Sequence, residues 1–310
     1  MSSEIAKKTS VVRERCFELG FDLVGISKAE KLNSEASNLK IWFEKKFDSD
    51  MSWIKKSYDK RIDPLKILPE AISVISLGLN YFQEGDFGEH PQEGKVSRYA
   101  WGKDYHKVFE KKFKSLKKIL LEFDPHSKNK FYVDYGPTMD KVWAVRSGLG
   151  WMGKHTNVIS TSIGSWFFIG TVLTSIEFEY DGQMLDLCGE CDLCIESCPT
   201  QAIVEPYVLD SNKCISYQTI ENRGEIPTEL KGKFENFVFG CDICQDVCPW
   251  NIKLQTETNE LEFASNVVRE LNFEEIKVLD ESNFNFKFKD SPIKRTGLIG
   301  LKRNFEFIKS

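Results

Sequence analysis

The sequence predicts an α/β (α+β) domain followed by a smaller metal-binding domain. Segments with helical and with strand periodicity alternate over residues 1–180, as they do in an α/β unit. Eight of the nine cysteines then fall between residues 188 and 248, where long apolar runs give way to short segments and Cys-Pro pairs. That texture is typical of a domain in which bound metal replaces part of the hydrophobic core.

The elements of the first part follow from the spacing of their apolar residues. Residues 4–20 have the pattern of an amphipathic helix, and Gly20 suits the end of that helix. The predicted order continues with strands at 21–27 and 71–82, a helix at 105–123, a strand at 130–136, a helix ending near residue 148 and a strand at 164–175. After about residue 259 the chain turns polar, and we expect an irregular tail with a short final helix that packs on the first domain. The predicted domains are 1–180, 181–258 and 259–310.

Composition and charge exclude several classes of protein. With 310 residues, of which 41% are hydrophobic, the chain is apolar enough to fold around a core. No run approaches the ~20 apolar residues of a membrane span, and the N-terminus lacks the pattern of a cleaved leader, so we expect a cytoplasmic protein. The net charge of −5 argues against a globally basic nucleic-acid binder, but lysine-rich runs at 55–61, 107–118 and 293–304 leave room for local basic faces.

The cysteine spacing indicates iron–sulfur clusters. Residues 188–203 read "CGECDLCIESCPTQAI", the C-x2-C-x2-C-x3-C-P run in which three cysteines hold one cluster and the fourth reaches a second. The second set consists of Cys214 and the cysteines of "CDICQDVCP" at 241–249. The crossing rule groups the eight thiols into two sets of four: Cys188, Cys191, Cys194 and Cys248 in one 4Fe-4S site, and Cys198, Cys214, Cys241 and Cys244 in the other.

Zinc is the alternative to iron–sulfur clusters. Four-cysteine zinc sites use two separated C-x2-C pairs, without a third cysteine two residues on and without Cys-Pro, so the spacing favours a ferredoxin-like domain with two 4Fe-4S clusters. Cys16 stands apart on an apolar stripe with Val12 and Leu19, which predicts a buried structural thiol. Because a ferredoxin needs only the small domain, we expect the α/β domain to hold the site where the electrons are used.

The first domain lacks the common dinucleotide, P-loop and H-E-x-x-H zinc motifs. Its most informative segment is residues 130–159, "KFYVDYGPTMDKVWAVRSGLGWMGKHTNVI". Ligands of α/β folds gather beyond the carboxyl ends of strands, where Asp134 would lie, so this carboxyl is a candidate general acid. Asp140 is followed by Lys141 inside a predicted helix and has the plainer interpretation of a capping or ion-paired carboxylate.

Seven segments together resemble the epoxyqueuosine reductases, which are cobalamin-dependent iron–sulfur enzymes of queuosine-tRNA biosynthesis. The resemblance spans nearly the whole chain and rests on residues 59–75, 97–108, 133–159, 188–203, 214–221, 240–251 and 291–304. The chain departs from the family in two places. His155 stands where Asn usually follows the loop lysine, and the chain ends at residue 310 without the C-terminal helical repeats that some members carry.

The resemblance implies a base-off cobalamin between the α/β domain and the clusters, and reduction of epoxyqueuosine to queuosine in a tRNA anticodon loop. The clusters would deliver electrons one at a time, and a cobalt centre would collect them as cobalt(I). Asp134 would protonate the oxygen that leaves as water. The cofactor contacts carried over by resemblance are Arg61, Ser97, Asp134, Lys154, Asn157 and Val158. His106 is a possible cobalt ligand, but a base-off cofactor makes a hydrogen-bonding or core role the better interpretation.

The expected partners follow from that chemistry. They are a tRNA with a queuosine-type anticodon loop and an external electron donor such as a flavodoxin or ferredoxin, and we expect a monomer with no membrane contact. Trp101, Tyr105 and Tyr217 are candidates for stacking on splayed bases, although each taken singly is better explained by core packing.

Two other functions are open on the sequence. A reductive dehalogenase resembles this family in fold and cofactors but acts on small organohalides, and the missing export signal and the basic runs count against it. A pure electron-transfer protein would have no substrate of its own, and a bound corrinoid would exclude it.

Overall fold

A computed structural model describes residues 2–88 and 92–310 of the chain. The helices are α1 Ser2–Glu18, α2 Asn33–Glu44, α3 Ser52–Lys56, α4 Tyr58–Arg61, α5 Tyr105–Phe123, α6 Asp140–Arg146, α7 Leu193–Glu196, α8 Ile215–Ile220, α9 Ile243–Asp246, α10 Pro249–Leu254, α11 Phe273–Val278, α12 Glu281–Lys287 and α13 Gly297–Lys309. The strands are β1 Leu23–Lys28, β2 Ser73–Asn80, β3 Glu93–Val96, β4 Asn129–Val133, β5 Trp151–Met152, β6 Val158–Ile159, β7 Phe167–Thr174, β8 Ile203–Glu205, β9 Val208–Leu209, β10 Phe237–Phe239 and β11 Glu270–Asn272. None of the described helices is long and apolar enough to cross a membrane.

A four-stranded sheet organises the first part of the chain. Its strand order is β1-β2-β7-β4, and each neighbouring pair is antiparallel. Strand β2 is buried along its whole length and alternates between two cores. Leu77 packs in the core formed with α1 and α5, whereas Val74 packs with Trp143 of α6. Helices therefore cover both faces of the sheet, and the predicted mixed fold is confirmed.

The sheet is antiparallel, whereas the sequence-based placement of Asp134 used a rule for parallel strands. The carboxyl ends of parallel strands share one edge of a sheet, but in an antiparallel sheet these ends alternate between two edges. Asp134 nevertheless follows Val133, the last residue of β4, directly. Helices α2, α3 and α4 had no predicted counterpart, and α3 and α4 span only five and four residues, too few to show a helical period.

Short helices position the cysteines of the second part. Cys194 lies within α7 and Cys244 within α9. Cys214 and Cys248 are the residues that immediately precede α8 and α10, and Pro249 occupies the first turn of α10, where its missing N–H costs no helical hydrogen bond. Short helices, rather than the strands of a long sheet, therefore determine the positions of these cysteines.

The C-terminal tail is more regular than expected. Strand β11 pairs with β3, and β3 pairs in turn with β10, so one three-stranded sheet joins all three predicted domains. Helix α12, a 3-10 helix at Pro292–Thr296 and the 13-residue α13 replace the expected irregular stretch. Phe305 of α13 is fully buried in a core that also contains Trp101 and Val238. The tail thus packs against both preceding parts of the chain.

Candidate functional site

Four cysteines surround one cavity beside the loop between β5 and β6. Cys188, Cys191, Cys194 and Cys248, here called the first cysteine group, line a cavity of about 170 Å³. Cys194 and Cys248 are buried, whereas Cys191 is exposed. Burial raises the pKa of Cys194 to about 11, and the neighbouring Cys248, Cys188 and Cys191 contribute to that rise. The structure thus brings together the first of the two sets assigned by the crossing rule.

The other four thiols also influence one another. Cys198, Cys214, Cys241 and Cys244 are called the second cysteine group. Burial raises the pKa of Cys244, and Cys214 and Cys198 raise it further. Burial likewise raises the pKa of Cys241, with added contributions from Cys244 and Cys214. Cys194 also acts on Cys244, so the two groups adjoin.

Polar groups of the β5–β6 segment surround the first cysteine group. Lys154 forms an ion pair with Asp192 at 2.7 Å between Nζ and Oδ1. His155 lines the cavity, and its Nδ1 accepts the backbone N–H of Asn157 at 3.1 Å. Burial, together with the nearby charge of Lys141, lowers the pKa of His155 to about 4. The imidazole is therefore neutral at pH 7.

Asp134 lies at the tip of β4 in an uncommon backbone conformation. Its φ is +61°, in the left-handed region that few residues other than glycine adopt. Tyr105, the first residue of α5, donates its hydroxyl to Oδ2 of Asp134 at 2.7 Å. The Tyr105 ring is stacked on Phe168 and on His106, with centroid distances of 4.2 and 4.1 Å. The sheet and α5 together therefore hold the carboxyl in place.

Asp134 has several titratable neighbours, and one of them also interacts with the second cysteine group. Burial raises the pKa of Tyr99 and of Tyr105, and the charge of Asp134 raises both further. Burial lowers the pKa of Lys141, while Cys244, Asp134 and Cys214 oppose that shift. The side chain of Lys141 is exposed. The region between Tyr99, Tyr105, Asp134, Lys141 and Arg295, which interact electrostatically, is called the Asp134 cleft.

Two of the cofactor contacts expected by resemblance lie near this cleft. Arg61 Nη1 donates to the carbonyl of Thr138 at 2.9 Å, and the charges of Asp140 and Asp134 oppose the lowering of the Arg61 pKa by burial. Asn157 also lies there, since its Oδ1 accepts from Lys141 at 2.8 Å. Together with Asp134 itself, the structure therefore brings three of the six expected residues to one place.

The remaining expected contacts lie elsewhere. Ser97 is buried and donates to Asp242 at 2.5 Å, beside the second cysteine group. Lys154 lies at the first cysteine group, and the side chain of Val158 is buried with Leu149 in an apolar core.

The side chains of Asp140 and His106 both have hydrogen-bond partners within the protein. Asp140 accepts hydroxyl hydrogen bonds from Thr138 and Thr171 at 2.6 Å each, and burial raises its pKa. His106 Nδ1 lies 2.7 Å from Oδ1 of Asp104. These partners agree with the plainer interpretation of each residue, as a hydrogen-bonded helix carboxyl and a hydrogen-bonded imidazole.

Two of the aromatic candidates for base stacking are also structural. Trp101 is fully buried and donates its indole N–H to the carbonyl of Val96. Tyr217 is buried and donates its hydroxyl to Asp50. Neither ring presents a free face to a splayed base, so core packing explains both.

Two residues of the site had no sequence signal of their own. Arg295 forms a two-bond ion pair with Glu221 and borders the cleft. Tyr135, next to Asp134, is 67% exposed with its ring 5.5 Å from that of His106. An exposed aromatic side chain beside the cleft is better placed for base stacking than a buried tryptophan.

The chain is similar to proteins of one family along nearly its full length. Residues 61–135 match the family described as epoxyqueuosine reductase QueG, DUF1730, and residues 187–251 match the 4Fe-4S double cluster binding domain. An epoxyqueuosine reductase of Cellulophaga algicola is 41% identical over 305 residues, covering 98% of each chain. A crystal structure of epoxyqueuosine reductase with an epoxyqueuosine-modified tRNA-Tyr stem loop matches with a TM-score of 0.87 and 27% identity, over 96% of this chain and 80% of that one. An epoxyqueuosine reductase of Bacillus subtilis, with its catalytic aspartate loop swung out of the active site, matches over the same shares with a TM-score of 0.86 and 26% identity.

Proposed function

Because the chain belongs to the epoxyqueuosine reductase family of oxidoreductases, we propose that it reduces the epoxide of epoxyqueuosine in a tRNA anticodon loop to the alkene of queuosine. The relative with a bound tRNA stem loop supports a tRNA substrate. The observation that carries the proposal is the Asp134 cleft, which joins one hydrogen-bonded carboxyl to the second cysteine group.

The reaction sets the requirements for the site. Conversion of an epoxide to an alkene takes up two electrons and two protons and releases the oxygen as water. The site therefore needs a proton donor beside the epoxide oxygen and a path for single electrons. The site should also exclude bulk water, and the aromatic side chains around Asp134 favour that exclusion.

Asp134 is the proposed proton donor. Tyr105 donates to Oδ2 of Asp134, so the other carboxyl oxygen, Oδ1, can carry the proton toward substrate. The stacked Tyr105 ring holds the carboxyl in one orientation, and a positioned acid contributes typically about 100 to 10,000-fold in rate. The catalytic aspartate loop of the Bacillus subtilis relative supports an acid on a loop of this kind.

The two cysteine groups are the proposed electron path. Each supplies four thiolates, as a 4Fe-4S cluster requires. Cys191 of the first group is exposed, whereas Cys244 and Cys214 of the second group interact with Lys141 at the cleft. We therefore place electron entry, from an external flavodoxin or ferredoxin, at the first group and delivery at the second.

The cleft also fits the cobalamin that the family resemblance implies. Arg61, Lys141 and Asn157 offer hydrogen-bond donors of the kind that the amide and phosphate groups of a corrinoid accept. The proposed contacts are Arg61, Ser97, Asp134, Lys154, Asn157 and Val158. When bound, cobalamin supplies a cobalt centre that accepts electrons singly and makes two available to the substrate.

The remaining assignments follow from the substrate and from the fold. We propose a monomer that acts on tRNA in the cytoplasm. Residues 1–180 would form the cofactor-binding catalytic unit, residues 181–258 the electron-transfer unit, and residues 259–310 a tail that ties them together through the β10-β3-β11 sheet.

The decisive experiment supplies purified, anaerobic protein with cobalamin, a chemical reductant and tRNA that carries epoxyqueuosine. Mass spectrometry of the released nucleosides should show the loss of one oxygen atom, and the product should be queuosine. Protein that contains its clusters and binds cobalamin but leaves the nucleoside unchanged would contradict the proposal.

A further inference from the structure

Two buried ring nitrogens beside the first cysteine group have no hydrogen-bond partner in the described part of the chain. They are Nε2 of His155 and Nε1 of Trp151. His155 is 3% exposed and Trp151 is 1% exposed. An unpaired polar group in a buried position costs free energy unless something else satisfies it. His155 lines the cavity and Trp151 packs beside its cysteines, so both atoms are expected to meet a group held by those cysteines.

The hydrogen bonding of His155 determines where its proton lies. Because Nδ1 accepts the backbone N–H of Asn157 at 3.1 Å, Nδ1 carries no proton. An imidazole whose Nδ1 accepts a hydrogen bond carries its ring proton on Nε2. His155 lines the cavity with all four thiols of the first group, so Nε2 is a donor that no described residue there accepts from.

Trp151 contributes the second donor from the neighbouring strand. It packs with Cys248 and Cys188 in a small apolar core. The indole N–H also interacts electrostatically with the Cys188 thiol, in keeping with this packing. The indole can only donate a hydrogen bond, so it too requires an acceptor.

We propose that His155 Nε2–H and Trp151 Nε1–H donate hydrogen bonds to sulfur atoms of the cluster held by the first cysteine group and raise its reduction potential. The inference deepens the proposed function, since it rests on that group holding a 4Fe-4S cluster. Hydrogen bonds to cluster sulfurs stabilise the more negatively charged reduced state, and they are among the factors that set the potential. A raised potential at the surface cluster favours uptake of an electron from the external donor.

The two residues act as positioning groups that tune the cluster rather than as ligands. Four cysteines already supply the four thiolates of one cluster. The backbone N–H of Lys154 also lowers the pKa of Cys188, so the β5–β6 loop surrounds this cluster with donors. A histidine at position 155 thus has a use that does not involve the Asp134 cleft.

The test is a potentiometric titration of both clusters, followed by EPR, on the purified full-length chain with its iron content measured. His155→Leu removes the donor, His155→Gln keeps an N–H near the same place, and Trp151→Phe removes the indole N–H but keeps an aromatic ring. His126→Leu is the matched control, because His126 is exposed.

We expect one of the two cluster potentials to fall in His155→Leu and in Trp151→Phe. At the wild-type midpoint, the ratio of reduced to oxidised cluster should drop by up to about tenfold, which is about 59 mV for a one-electron couple. His155→Gln should restore most of the shift, and His126→Leu should cause none.

Unchanged potentials in His155→Leu and Trp151→Phe, each at full iron content, would overturn the inference, as would equal shifts of both clusters. If His155→Leu fails to retain iron, Trp151→Phe decides the question by the same readout. Wild-type protein with far fewer irons than two clusters require would defeat the cluster assignment itself, which is a different failure.

Discussion

The hydroxyl of Tyr105 donates to Oδ2 of Asp134 at 2.7 Å, and this bond joins the start of α5 to the end of β4. The two residues are 29 positions apart in the chain. Their pairing converts an exposed loop carboxyl into an oriented group, because the Tyr105 ring is buried and stacked on both sides. Each member of the pair can be tested by a substitution that preserves its shape.

Replacement of the proposed acid should abolish most turnover. Asp134→Asn keeps size and polarity but cannot supply an acidic proton, so the rate of epoxide reduction should fall about 100 to 10,000-fold. Iron analysis should show an unchanged cluster content, and absorption spectra should show that cobalamin still binds.

Asp140→Asn is the matched control for that variant. Asp140 is held by Thr138 and Thr171, whose hydroxyls an amide oxygen can still accept. If Asp140→Asn is inactive with both cofactors in place while Asp134→Asn turns over normally, the proton donor has been wrongly assigned.

Loss of the Tyr105 hydroxyl should have a smaller effect. Tyr105→Phe keeps the stacked ring but removes the hydrogen bond that orients Asp134, and a typical hydrogen bond contributes about 0.5–1.5 kcal/mol. We expect the single-turnover rate to fall by roughly two- to tenfold, with an altered pH profile and unchanged cobalamin affinity. A wild-type rate and pH profile in Tyr105→Phe would show that the bond does not position the acid.

Metal analysis should give about eight irons per chain, as two cubane clusters require. Cys16→Ser should retain that iron content, because Cys16 is fully buried in the core of the first domain, where burial raises its pKa to about 12. The free energy of unfolding of this variant should fall by about 1–3 kcal/mol, since a hydroxyl is buried there. Stoichiometric zinc with little iron would refute the cluster assignment.

The crossed grouping of the cysteines predicts which variants share a phenotype. Cys248→Ser should alter the same EPR signal as Cys188→Ser, although the two residues are 60 positions apart. Cys198→Ser should instead alter the signal affected by Cys244→Ser. Should Cys198→Ser and Cys188→Ser affect one signal together, the groups follow sequence order and the crossing rule fails here.

Binding of tRNA should depend on exposed lysines rather than on net charge. Lys117 and Lys118 of α5 and Lys294 beside Arg295 are exposed. Reversal of Lys117 and Lys118, or of Lys294, should weaken binding of an anticodon stem-loop. The slope of its salt dependence should flatten by about one unit for each phosphate interaction removed. If neither change alters the affinity, the phosphates of the tRNA contact other basic residues.

The basic run at 293–304 is not uniformly available for phosphate. Its sequence indicates one potential basic face, but two of its positively charged side chains donate hydrogen bonds to backbone carbonyls of the protein itself. Arg303 donates to the carbonyls of Gln218, Asn222 and Gly224 at 2.6–2.8 Å, and Lys302 donates to that of Leu279 at 2.8 Å. These two side chains hold the tail to its neighbours, so Lys294 is the better probe of phosphate binding in this run.

The sequence by itself determined the local features of this protein. Helix and strand periodicity placed α1, α5, β2, β4 and β7 within a few residues of their observed bounds, because such periodicity depends on neighbouring residues alone. Cysteine spacing indicated the cluster type for the same reason, since each C-x2-C step sets a local geometry.

Only the tertiary structure decided which distant groups meet. The antiparallel order of the sheet, the bond between Tyr105 and Asp134, and the unpaired ring nitrogens of His155 and Trp151 had no sequence signal. A side chain's hydrogen-bond partner depends on where separate segments of the chain come together, which local spacing does not encode. The same residue type is thus a surface cation at Lys117 and an internal donor at Lys302, and packing alone makes the difference.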